Sequence, residues 1–259
     1  MFVLSKILVE YDFIYLVPKK IRYYFSKMFK INPNTIFVFL MALLTGFPSS
    51  AKYTLDLYEK GAISEKDANK ILLFSHFSNP LFIIGTIGII FLNNKKMGIL
   101  ILVSHYLSNI FLGLIFRNKY LNNFKSEEII SNCPKSFGLV LANAIASGID
   151  TLLLILGTII VFSIVSNIIN INDFINTLLS GLLEMCNGLK KVSLLNINLL
   201  SKSLLSCFFI SFGGFSVHIQ NFAILGDLKI KYCSYFLARL LHGIISVLIL
   251  LFLTSLLYR

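Results

Sequence analysis

Hydrophobic residues in this chain run in long blocks, and polar residues interrupt them at only a few places. Apolar runs cover 35–44, 76–92, 97–116, 151–171, 199–212 and 237–258. None alternates with the two-residue period of a half-buried strand, so helices are predicted throughout. Runs of about 20 residues match the hydrocarbon thickness of a bilayer, and 97–116, 151–171 and 237–258 read as full spans. The run 76–92 reads as a further span, and Phe137 to Ser147 as a short helix leading into the one at 151. The runs 35–44 and 199–212 are much shorter and end in helix breakers, so they read as half-spans.

The first half-span ends in Leu43-Leu-Thr-Gly46-Phe-Pro48-Ser49-Ser50-Ala-Lys52. Gly46 frees the backbone and Pro48 removes a donor, which predicts a broken helix or a re-entrant hairpin. Unpaired backbone at membrane depth is tolerated only inside protein or beside a water-filled cavity. The second half-span ends in Ser211-Phe-Gly213-Gly214-Phe-Ser216-Val-His218, and Gly214-Phe-Ser aligns on Gly46-Phe-Pro. Two further interruptions are Ser78-Asn79-Pro80 and Gly181-Leu-Leu-Glu184-Met-Cys-Asn187-Gly188. Paired interrupted segments predict a two-repeat transporter with its site at the repeat interface. The expected fold is therefore an all-α membrane protein of about four to six spans with two inverted repeats carrying re-entrant helical hairpins. Its expected divisions are an amphipathic basic segment 1–34, a first repeat 35–136 and a second repeat 137–259. The tips Gly46-Phe-Pro48 and Gly214-Phe-Ser216 are expected to approach each other near mid-membrane.

Composition supports the membrane assignment: 56% of the 259 residues are hydrophobic, 14% are charged, and mean hydropathy is +0.82. A soluble globular domain has a different balance. The net charge of +11 fits loops and surfaces that meet lipid headgroups, and no nucleic-acid partner is expected. Pro18 and Pro33 bracket a basic helix expected on the membrane surface. Ser64 and Asp67 fit a capping box after a turn at Gly61. The charge bias toward loop 117–135 is small, and orientation stays open.

Cys133, Cys186, Cys207 and Cys233 lie apart from one another and from metal-ligand spacing, so no metal, cofactor or disulfide framework is expected. No His-Glu-x-x-His or paired-Asp pattern suggests an enzyme. The candidate substrate-binding residues lie at or beside the breaks: Gly46, Pro48, Ser49, Ser50, Asn79, Pro80, Glu184, Asn187, Gly213, Gly214, Ser216, His218, Arg239 and His242. Lys52 could add charge. His105 reads as a helix-packing group, not a ligand. Glu184 and Arg239 are expected to meet. Whether Arg239 then counters a substrate or only locks helices to Glu184 stays open.

Six motifs in order resemble the YlbJ (SpoVV) family of sporulation integral membrane proteins: Leu-Thr-Gly-Phe-Pro-Ser-Ser-Ala-Lys52, Gly61-Ala-Ile-Ser, Ser78-Asn-Pro-Leu-Phe-Ile-Ile-Gly85, Gly181-Leu-Leu-Glu-x-x-Asn-Gly188, Ser211-Phe-Gly-Gly-Phe-Ser-Val-His-x-Gln220 and Arg239-Leu-Leu-His-Gly243. They cover about residues 10–258. The resemblance implies nucleoside-recognition (Gate) repeats similar to part of the concentrative nucleoside transporter fold. It implies movement of dipicolinic acid across the outer forespore membrane. A non-transporting scaffold of a sporulation complex is the alternative. The partners implied are membrane lipid and a small carboxylate solute, with a homo-oligomer left open. Family members carry additional N-terminal spans, so this chain is expected to begin inside the second helix.

Overall fold

The computed structural model describes residues 2–11, 13–121, 136–169 and 171–257. Most of the polar loop 117–136, with Cys133, lies outside them. Among the described residues all regular structure is helical. Two short helices, α1 (Phe2–Glu10) and α2 (Lys19–Phe29), precede α3 (Ile36–Thr45) and α4 (Ser49–Glu59). Next come α5 (Glu65–Ile71), a π-helix (Phe82–Phe91) and α6 (Lys95–Ile115). The remainder is α7 (Phe137–Ile168), α8 (Asp173–Leu183), α9 (Met185–Leu194), α10 (Leu199–Phe212), α11 (Gly214–Leu225) and α12 (Tyr232–Leu257).

Among the described residues four stretches are long and apolar enough to cross a membrane: α6, α7, α10 with α11, and α12. A fifth is counted if α2 and the segment Pro33–Thr45, bent by 104°, form one crossing. The expected span at 76–92 is absent. Residues 72–79 are unwound, and the helix that follows has only ten residues. Conversely, α7 is one helix of 32 residues where a short helix and a separate span were expected.

Each helix boundary has a local cause. The capping box at Ser64 and Asp67 is present, with each side chain bonded to the other residue's backbone N–H. Asn94, Asn172 and Asn198 cap α6, α8 and α10 with one side-chain bond each, accepting the N–H three residues on. Asn79 accepts from the Leu81 N–H at 2.8 Å, with Pro80 following it, so the unwound stretch restarts as a helix there.

The four interruptions fall where the sequence places them, but they do two different jobs. At Gly46–Pro48 the chain reverses: the Tyr53 hydroxyl donates to Thr45 Oγ1 at 3.0 Å, and the Tyr53 ring lies 6.3 Å from Phe37. At Glu184 it reverses again, and α8 and α9 close so tightly that Gly188 meets the Gly181 backbone. At Gly213 the chain is interrupted without reversing, and α10 and α11 form one 27-residue stretch. The unwound residues 72–79 interrupt the other half. The sequence alignment of Gly46 on Gly214 therefore pairs a reversal with an interruption. The geometric counterparts are Phe47 with Glu184 and His76 with Gly213, and both spacings from reversal to interruption are 29 residues.

Two buried apolar clusters hold these pieces. In one, Phe25, Phe29, Phe39, Phe74 and Phe77 interlock, with Phe29 stacked on Phe74 at 4.8 Å. The other joins the π-helix and α6 to α9 and α10 through Ile83, Ile87, Ile101, Leu189 and Ile210. Outside them, α7 exposes Leu152, Leu153, Leu156, Ile160, Val161 and Ile164, a face suited to lipid.

Candidate functional site

Each reversal packs its tip onto one interruption. A Cβ on Gly46 would stand 2.7 Å from the Asn79 nitrogen, so only glycine lets the first tip lie against the unwound stretch. Three donor groups hold it there. The Phe47 N–H donates to Phe77 O at 2.7 Å, Asn79 Nδ2 donates to Leu44 O at 3.2 Å, and the Tyr106 hydroxyl bridges Leu43 O and Ser78 O at 2.8 and 3.1 Å. In the second unit a Cβ on Gly214 would stand 3.1 Å from the Met185 nitrogen and 3.3 Å from Leu183 O.

His76 connects the two units. Its ring stacks on Phe47 of the first tip at 4.4 Å with planes 13° apart. On its other side, a Cβ on Gly213 would stand 2.7 Å from His76 Nε2. Phe47 of the first tip and Gly213 of the second interruption thus both lie against one imidazole. Asn109 Nδ2 fixes the backbone by donating to His76 O at 2.6 Å.

Around this ring lies a polar cluster inside apolar helices. His242 stands edge-on to His76 at 6.0 Å and stacks on His105 at 4.7 Å. Arg239 donates to His242 Nδ1 at 3.2 Å and to Leu73 O, and its guanidinium lies 5.4 Å from the Tyr235 ring. Arg239, His105 and His242 are fully buried, and His76 is 1% exposed. Among the described residues no carboxylate stands within ion-pair distance of Arg239, and Arg239 Nε and both His76 ring nitrogens lack a hydrogen-bond partner. A buried guanidinium without a counter-charge is costly, and buried charges are ordinarily paired.

Two helix N-termini begin beside the cluster. Helix α4 starts two residues after Phe47, and α11 starts immediately after Gly213. Neither has a side-chain cap. In α4 the Ser49 and Ala51 N–H groups already donate to Gly46 O and Pro48 O, and the positive dipole end of each helix favours an anion.

The sequence candidates divide accordingly. Gly46 and Pro48 form the first tip, Ser49 and Ser50 open α4 and are buried, and Asn79 and Pro80 restart the helix beside it. Gly213, Arg239 and His242 meet at His76. Ser216 is buried in the first turn of α11 with its hydroxyl unpartnered. His218 stands apart in an aromatic nest of Phe212, Phe215, Tyr232, Tyr235 and Phe236.

Three expectations are corrected. Glu184 does not pair with Arg239; its carboxylate accepts from the Asn187 N–H at 2.8 Å and caps α9. Asn187 turns to α7, donating to Ser163 Oγ at 2.9 Å. Lys52 is committed to Asp56 at 3.2 Å, alongside Lys6 at 2.9 Å. The sequence pattern does not mark His76, and it reads His105 as a packing group. The available signal was that all four histidines of the chain fall in or beside apolar runs, where ionisable groups are rare and functional.

Comparison with known proteins agrees with the sequence resemblance. No family model matches this chain, and no solved structure matches it. Sporulation integral membrane protein YlbJ of Bacillus subtilis (strain 168) is 29% identical over 297 aligned residues, which take in 99% of this chain and 73% of that protein. With its membrane-crossing helices and the motifs at each interruption, the chain is similar over nearly its whole length to the sporulation integral membrane protein YlbJ.

Proposed function

We propose that this protein is a transporter for a small dianionic carboxylate, with dipicolinate (pyridine-2,6-dicarboxylate) as the first candidate. The observation that carries this reading is Arg239, a fully buried guanidinium with no carboxylate partner among the described residues. It bonds the unwound stretch at Leu73 and, through His242, adjoins His76, where the first reversal and Gly213 meet. A scaffold needs the apolar spans but has no use for an unpaired cation at the crossing of broken helices. The two reversal–interruption units are read as the two inverted Gate-like repeats, and the cargo as passing at their interface. The similarity to YlbJ supports a role in sporulation, and the outer forespore membrane is the site proposed for it. No enzymatic step is assigned to the chain.

The test is uptake of labelled dipicolinate by liposomes containing the purified protein. Hydrogen bonds to a charged group contribute about 1.5–3 kcal/mol, so Arg239→Gln is expected to cut uptake at least tenfold. Insertion and monodispersity should be retained, because glutamine can still donate to Leu73 O. If the wild-type protein moves no dipicolinate, the scaffold reading replaces this one.

A further inference from the structure

His76 differs from the other three histidines in a way that bears on coupling. His105 Nε2 accepts from the Ser78 N–H at 3.0 Å, so its proton sits on Nδ1 and faces Ser211 Oγ at 2.9 Å. His242 Nδ1 faces Arg239, which can only donate, so its proton sits on Nε2 and points to His105 O at 3.0 Å. His218 Nε2 donates to Phe212 O at 3.1 Å, and Nδ1 faces the Tyr232 hydroxyl at 3.5 Å. A second proton on His105 or His242 would break an existing bond and set two donors against each other. Neither nitrogen of His76 is so committed.

We propose that His76 takes up one proton together with each anion, so that the protein is a proton–dicarboxylate cotransporter. This rests on the anion-transport reading above. In the absence of cargo, an imidazolium at position 76 would lie beside Arg239, with His105 and His242 on neighbouring faces, Phe47 and Gly213 against the ring, and no acid to offset it. A dianion reverses that balance. One carboxylate meets Arg239 and the other accepts an N–H from His76, so two negative charges face two positive ones. The proton comes from water on the entry side, no bond between heavy atoms forms or breaks, and the loaded site is neutral where the bilayer penalises charge most. Linkage is reciprocal: if the anion favours the proton, the proton favours the anion by the same factor.

The first measurement is proton uptake by the purified wild-type protein in weakly buffered detergent on adding dipicolinate above about pH 6, where both probe carboxylates are ionised. About one proton is expected to be taken up per dipicolinate bound, with Kd rising about tenfold per pH unit at alkaline pH. His76→Gln and the shorter His76→Asn are expected to bind more weakly, without proton uptake and with a flat pH profile. Binding by the wild type without proton uptake would overturn the cotransport proposal and leave the transporter reading standing. A pH dependence that survives both His76 variants but disappears in His242→Gln would overturn the assignment to His76. No dipicolinate binding at all would overturn both readings.

Discussion

Gly61 and Gly214 have nearly the same backbone, with φ of +72° and +71°, but different surroundings. Nothing lies within 4 Å of a Cβ on Gly61, whereas one on Gly214 meets the backbone of the second tip. The left-handed conformation alone costs a non-glycine residue roughly 1–2 kcal/mol. Gly61→Ala is therefore expected to lower the thermal stability of the detergent-solubilised protein slightly and leave transport intact. Gly214→Ala adds a tight contact with the backbone of the second tip and is expected to lose both more stability and most transport. Equal effects in thermal melts and uptake would show that the second tip does not depend on that close approach. At this scale Arg239 and His242 were legible, because three-residue spacing in an apolar run puts two polar groups on one face. His76 was not, since Phe74-Ser-His-Phe77 has no periodicity and its importance comes from two distant segments closing on it.

Among the helices, a buried lysine ties two ends that have no covalent link. Lys70 Nζ donates to Lys30 O at 2.8 Å and Arg117 O at 2.6 Å, at the C-terminal ends of α2 and α6. A cation there complements both helix dipoles. Burial pulls its pKa down from 10.5 to about 8; Asp67 opposes this, and Lys30 and Arg117 add to it. Between those two values the unfolded chain holds more protons than the folded one, so stability should rise as pH passes from about 8 toward 10.5. Melting curves of wild type and Lys70→Gln across that range are expected to differ by this slope, the wild type gaining on the variant. A parallel pair of curves would contradict it. The sequence made the positions of the breaks legible through Gly, Pro and small polar residues. It did not distinguish a reversal from an interruption, because both use the same residue types. What separates them is whether the next helix finds its packing face behind the tip, as Tyr53 does against Phe37, or ahead of it, as along α10 and α11.

For the whole molecule, the class and the crossings of α6, α7 and α12 followed from the apolar runs, whereas the loss of a span at 76–92, the crossing by α10 with α11 and the meeting of the units did not. It depends on Phe47, His76 and Gly213, which are far apart in the chain. The longest helix carries a consequence of a different kind. At 1.5 Å per residue, the 32 residues of α7 extend about 48 Å, against about 30 Å of hydrocarbon. Such a helix must lean or protrude, and its inclination follows the thickness of the surrounding lipid. It also grips the second reversal: Ser166 Oγ bonds Ser180 Oγ at 2.7 Å, and Ser163 receives Asn187. Lipid thickness therefore becomes an input to the site, transmitted as tilt. Mismatch costs fractions of a kcal/mol per Å, so uptake in liposomes of graded acyl-chain length is expected to vary several-fold about an optimum. Replacing Ser163 and Ser166 with alanine should flatten that curve, uncoupling the carrier from the elastic state of its membrane.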